Sequence, residues 1–166
     1  MEWIKEFKDL NELKEFLISQ LNYDDKSGFS FVGITSGLEF KEVANSLGEP
    51  ETSNTESEQQ KTLLYSAWVD HKTEGKRDHH KLNALFWFFE NEPLEVIRVH
   101  FDYYKTGEFA VDFYKFIHEL FTSLINKFGK PEKKSMREQN EEITYTRGKH
   151  KFSMWSNTEG LRIQIK

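Results

Sequence analysis

Two rhythms of apolar and polar positions run through this chain, one at helical spacing and one at strand spacing. Leu10, Leu13, Leu17 and Leu21 recur every three or four residues, and Asp9 with Glu12 three positions on has the form of a capping box. The pattern predicts a helix over 2–22, with Trp3, Ile4 and Phe7 forming a short turn ahead of it. After a polar break at 22–28 and a short extended entry at 29–34, Ser36 with Glu39 predicts a second helical start. Phe40, Val43, Ala44 and Leu47 supply its apolar stripe, and Gly48 and Pro50 stop it. Asp112 is the predicted N-cap of a third helix. Phe113, Phe116, Ile117, Leu120, Leu124 and Phe128 share one face of that helix, which Gly129 and Pro131 end.

Between and after these helices the period falls to two. Strands are predicted at 61–69, 82–90 and 94–101, and again at 142–147, 151–156 and 161–166. A hairpin connection at Asn91-Glu92-Pro93 and turns around Gly107, Gly148 and 157–160 separate them. The apolar-free segment 51–60 and the polar segment 132–141 read as mobile linkers, and 70–80 reads as a long charged loop.

One stretch occurs twice. Phe40, Val43, Asn45, Leu47, Gly48, Pro50 and Glu51 reappear in order as Phe121, Leu124, Asn126, Phe128, Gly129, Pro131 and Glu132. The expected fold class is therefore α+β, with two tandem helix-plus-three-stranded antiparallel meander repeats, helices on one face of the sheet, and an extra N-terminal helix. In domain terms, 1–166 is one domain built of an N-terminal helix (1–28) and two repeats (29–108 and 109–166).

Strand parity predicts which side chains leave the core. On the last strand Leu161, Ile163 and Ile165 alternate with Arg162, Gln164 and Lys166, so the apolar set faces inward. Carried across the sheet, this parity puts Phe152, Met154, Phe86, Phe88, Tyr65, Ala67, Val69, Ile97, Val99 and Phe101 inside. It puts Leu64, Ser66, Trp68, Leu85, Trp87, Phe89, Arg98, His100, Ser153, Trp155 and Arg162 outside. Three of the four tryptophans land on the outer face. An exposed aromatic surface of that kind marks a contact site unless the N-terminal helix or a second copy covers it.

Composition narrows the classes. The 15 Phe, 6 Tyr and 4 Trp among 166 residues supply enough large side chains for a stable core despite 31% charged residues. A net charge of −5 and a pI of about 5.7 argue against general nucleic-acid or anionic-membrane binding. The absence of cysteine excludes disulfides, thiolate metal sites and a cysteine nucleophile. With no apolar run at the start and none of membrane-spanning length, cytoplasmic location is expected.

Gly33, Ile34, Thr35, Val43, Leu47, Gly48 and Pro50 carry a resemblance. The sequence from Phe31 to Pro50 resembles the opening of the small helix-plus-sheet modules in the outer-membrane assembly lipoprotein BamE family and the beta-lactamase inhibitor protein family. It departs from both in lacking a lipobox and cysteines. The resemblance implies a fold that grips other proteins and transfers no catalytic residues. In size and acidity the chain also resembles immunity proteins of bacterial toxin systems.

The candidate chemistry is sparse. His71, Asp78, His79 and His80, with His100 and Asp102, could offer imidazole and carboxylate ligands to a metal such as zinc. Adjacent His79 and His80 converge poorly on one ion, and no His-Glu-x-x-His pattern occurs. Gly33 and Gly37 complete no phosphate loop, and Ser36 lacks a nucleophile-elbow context. His118, on the helix beside Ile117, reads as a histidine at the edge of the core rather than a base; Tyr103 and Tyr104 either rim the outer face or close the first meander. Glu141 with Glu142, and Asp24 with Asp25, read as solvated charge.

The expected function is a non-catalytic protein-binding module, in its most specific form a toxin-neutralising immunity or inhibitor protein. Its predicted partner-binding residues are Trp68, Leu85, Trp87, Phe89, Arg98, His100, Trp155 and Arg162, with no catalytic residues, metal or cofactor. The expected partner is another protein, such as a basic toxin domain, and the chain itself is a monomer or homodimer. The alternatives are a metal-dependent hydrolase built on 70–80 and a structural homodimer subunit.

Overall fold

A computed structural model describes residues 1–57, 60–73, 75–89, 92–103, 110–137 and 140–166. The first strand, β1 (Glu6–Phe7), leads into α1 (Leu10–Gln20), whose N-cap Asp9 accepts a 2.8 Å hydrogen bond from the Glu12 amide. The apolar stripe buries Leu10, Leu13, Phe16 and Leu17. The helix is shorter than 2–22 because the chain at both ends is extended. Residues 6–7 lie along a sheet edge, and Leu21 begins β2 (Leu21–Asp24).

A small antiparallel sheet follows, formed by β2, β3 (Gly28–Phe31) and β4 (Ile34–Thr35). The polar break at 22–28 is the β2–β3 hairpin, whose Asp24 side chain accepts bonds from the Lys26 and Ser27 amides at 2.9 and 3.0 Å. Helix α2 (Phe40–Leu47) starts at Glu39 rather than Ser36. There the Glu39 amide donates to Glu42 at 2.8 Å.

The remaining strands form one nine-stranded mixed sheet in the order β1-β6-β7-β8-β12-β11-β10-β9, with β5 also paired to β6. They are β5 (Thr52–Ser57), β6 (Gln60–Thr73), β7 (Lys76–Phe89), β8 (Leu94–Asp102), β9 (Lys133–Arg137), β10 (Asn140–Arg147), β11 (His150–Asn157) and β12 (Gly160–Ile165). Helix α3 (Ala110–Phe128) connects the two halves of this sheet, which meet where β12 pairs with β8.

This architecture corrects the expectation of two helix-plus-three-strand units. The polar segments read as linkers contain the edge strands β5 and β9, so four strands follow each of α2 and α3. Their sequences hid this because an edge strand exposed to water carries no apolar alternation, and charged side chains discourage edge-to-edge pairing. Residues 70–73 and 76–80, read as part of a loop, belong to strands. The ladder of β6 and β7 runs unbroken in register from Gln60↔Phe89 to Thr73↔Lys76. Parallel pairing of β1 with β6 makes the sheet mixed, and the β2–β4 sheet lies outside both halves. The hairpin residue Asn91 and the turn around Gly107 fall outside the described residues.

One side of the large sheet is the core. Phe86, Ile97, Val99, Phe101, Phe152, Met154 and Ile163 are at most 1% exposed. Above them pack Val43 and Leu47 of α2, the stripe of α1, and Phe113, Phe116, Ile117, Leu120, Phe121, Leu124 and Phe128 of α3. The small sheet closes one end, where the Phe29 ring lies 5.4 Å from Phe152 and 5.6 Å from Phe128. Trp3 belongs to this core at 6% exposure. Its indole N–H donates to Ser66 O at 2.7 Å, pinning the N-terminal segment to β6.

Candidate functional site

Every second residue of the central strands points away from the core, and strand register arranges these side chains in rows. One row runs Ser66, Asn83, His100, Arg162, Trp155 and Glu142 across β6, β7, β8, β12, β11 and β10. The next runs Leu64, Leu85, Arg98, Gln164 and Ser153. Along β7, Leu85, Trp87 and Phe89 form an outward apolar stripe, with Leu64 opposite Leu85 and Val96 opposite Trp87.

All eight predicted contact residues therefore occupy one face, but they do not form one aromatic surface. Trp68 and Trp155 sit on strands separated by three others, roughly 19 Å apart at the usual interstrand spacing. A polar centre of Arg98, Arg162 and the His100 imidazole lies between the indoles of Trp68 and Trp155. Trp68 is 50% and Phe89 47% exposed, whereas Leu85, Trp87 and Trp155 are half-buried by their neighbours.

Those neighbours define the electrostatics. The Arg98 guanidinium lies 4.4 Å from the centre of the Trp87 ring, a cation–π stack that holds it flat against the sheet. Its Nε has no hydrogen-bond partner, and no carboxylate among the described residues pairs with it. Arg162 differs, with a 2.8 Å ion pair to Asp102. Burial, and then the positive charge of Arg162, hold the His100 imidazole below its ordinary titration range, so the ring is neutral near pH 7. Lys81 completes the rim, 5.6 Å over the Trp68 ring and 3.1 Å from Glu51.

Lys81, Asp102 and Leu64 contribute to this face without having been singled out as contact residues. Parity already placed Leu64 outside, and the same alternation extends to Lys81 and Asp102; Lys81 is the direct partner of both Trp68 and Asp102. Clefts of about 340 and 370 Å³ flank Trp68, the first lined by Lys5, Glu51 and Lys81, the second by Glu6, Asp70 and Arg77. The indole stands as a ridge between them.

The histidine-rich stretch is divided by the pleat of the strand. His80 points inward and is 8% exposed, 4.9 Å from the Phe113 ring. His79 points outward beside Asp70, which Arg77 holds at 2.8 Å. His71, opposite Asp78 in the ladder, is also buried and lies 2.9 Å from Asp112 of α3. Asp112 thus sits in the first turn of α3 and faces a histidine. Among the described residues no three His, Asp or Glu side chains converge as metal ligands would.

Tyr103 does not rim the outer face; it is buried and stacks on Phe113 at 4.0 Å and 7°. Tyr104 falls outside the described residues. Glu141 is not solvated charge but is 8% exposed and accepts a short hydrogen bond from Ser156. Among the described residues, no helix is long and apolar enough to cross a membrane.

No family model matches this chain, and no curated protein matches it. Among solved structures it is similar to a DUF4309 family protein from Bacillus subtilis. The two are 14% identical over 95% of this chain and 94% of that one, with a TM-score of 0.42. A likeness that distant carries no argument about fold or function.

Proposed function

We propose that this chain is a non-catalytic protein-binding module that uses the outer face of its large sheet. Its partner is a protein surface that sets a carboxylate against Arg98 and an apolar group against the Leu85–Trp87–Phe89 stripe. A toxin-neutralising or inhibitory role, which the sequence resemblance implies, is the specific form of this reading.

The supporting observation is the Arg98 and Trp87 stack. A guanidinium held by an indole 4.4 Å away, without an acid partner among the described residues, keeps its donor fork in place before any ligand arrives. That fork matches a carboxylate bidentately, and little side-chain entropy is left to lose. Buried Arg and Trp anchors dominate interface energies, and the half-exposed Trp68 and Phe89 add apolar area on either side. The charge on this face, rather than the net charge of −5, sets the sign of the partner.

The test is affinity capture from the native host with the wild-type chain, with Arg98→Ala and Trp87→Ala, and with Lys149→Ala as a distant control. A protein bound stoichiometrically by the wild type and the control, and lost by both face variants while their circular dichroism stays native, supports the reading. Retention by the face variants overturns it. A dimer of this chain that dissociates on the Arg98 substitution would instead make the partner a second copy.

A further inference from the structure

A second concave site lies at the opposite side of the sheet, where the start of α1, the far end of β6 and the start of α3 meet. This cleft of about 480 Å³ has Leu10 and Phe116 on its apolar floor. Three lysines reach its rim from three separate elements: Lys8 before α1, Lys72 on β6 and Lys115 on α3.

The acids of the cleft are already engaged. Asp9 caps α1 by accepting from the Glu12 amide at 2.8 Å. Asp112 lies 2.9 Å from His71, and Lys14 holds Glu119 at 2.6 Å. Lys8 and Lys72 have no carboxylate within ion-pair distance among the described residues, and Lys115 comes only within 4.0 Å of Glu119. With Lys14 counted, four lysines stand against three carboxylates around the cleft, so its lining carries a small net positive charge in a molecule whose net charge is −5.

We infer that this cleft binds a small phosphate-bearing anion. Ammonium groups act as point charges, so three of them from different directions can each meet a different oxygen of a tetrahedral group. Among the described residues no guanidinium lines the cleft to favour a planar carboxylate instead. Its volume lies within the range of small-molecule sites, and its apolar floor can accept the uncharged part of the ligand. The site is independent of the outer sheet face.

The experiment is a titration of the full chain with inorganic pyrophosphate in low-salt buffer, followed by amide NMR and calorimetry, with citrate as a parallel arm. Saturable shifts confined to residues around Lys8, Lys72 and Lys115 are expected. Lys72→Glu should weaken binding by about tenfold or more, consistent with reversing one charge close to the anion. Lys72→Gln, a milder change that preserves the fold, should weaken it less. Shifts spread equally over distant lysines such as Lys149 and Lys151, or unchanged affinity in Lys72→Gln, would overturn the site. Equal affinity for citrate would overturn the phosphate assignment.

Discussion

The hydroxyl of Tyr65 donates a 2.8 Å hydrogen bond to the carbonyl oxygen of Gly48, the residue that ends α2. Eighty-one residues after Gly48 the contact recurs at Gly129, which ends α3 and accepts from the Tyr145 hydroxyl at 2.6 Å. Both glycines have φ near +85° (+84° and +88°), a left-handed conformation costly for other residues. Just beyond each, the chain turns into an edge strand. The Glu51 amide bonds Leu64 O at 2.9 Å, and the Glu132 amide bonds Thr144 O at 3.0 Å. The recurring Gly-x-Pro-Glu sequence therefore encodes a helix stop tied to the second strand of each meander.

Tyr65→Phe and Tyr145→Phe each remove one such tie and leave a glycine carbonyl without its donor. Each should cost about 1 kcal/mol in urea unfolding, with unchanged m-value. The two tyrosines stand on strands separated by four others, roughly 24 Å apart at standard spacing, so the double variant should be additive.

The junction of the two halves is sensitive to a single methyl group. Gly160 pairs with Asp102 at the end of the β8–β12 ladder, has φ of +145°, and would place a Cβ 2.1 Å from the Phe101 carbonyl oxygen. Backbone cannot yield there without breaking the ladder. Gly160→Ala should destabilise by about 2 kcal/mol or more in thermal or urea unfolding, within the range known for backbone strain and overpacking. Gly148→Ala, with no atom within 4 Å of its Cβ position, should cost less.

Two tryptophans near one strand should behave oppositely. Trp3 is 6% exposed and bonds Ser66 O, so Trp3→Ala should cost about 3–5 kcal/mol. Trp68 is 50% exposed on the outer face, and Trp68→Ala should leave stability within about 0.5 kcal/mol of wild type. A large loss of stability on the Trp68 substitution would show that this indole serves the fold rather than a contact surface.

Acid should weaken the fold through two histidines. Burial holds the titration of both His80 and His100 below the ordinary imidazole range, so the folded state prefers the neutral rings. As pH falls below about 6.5, the unfolded chain binds these protons first. Their contribution is therefore complete above that value and is lost as pH falls toward the folded-state titration. Urea unfolding at pH 7.5 and pH 5.5 should show lower stability at the acid value, and His80→Phe should reduce the difference.

Much of this protein follows from local patterning. The apolar stripes of α1 and α3, the glycine stops, and the inward or outward parity of β6, β7, β8, β11 and β12 are properties of residue spacing, which needs no knowledge of the partner strand. The pleat likewise dictates that His79 and His80 diverge. That is why the eight outer-face residues could be named from the chain alone.

What the tertiary structure decided is everything that depends on water being excluded from one side only, or on distant segments meeting. β5 and β9 carry no apolar period because their outer surfaces are solvated, so pairing with β6 and β10 is what makes them strands. The extension of β6 and β7 over the charged residues 70–73 and 76–80 depends on the ladder between them and on α3 covering His71 and His80. The separation of the indoles by Arg98, His100 and Arg162, and the meeting of Lys8, Lys72 and Lys115 at one cleft, arise from cross-strand register and helix placement. Sequence spacing fixes the side of an element on which a residue lies, and long-range packing fixes what it faces there.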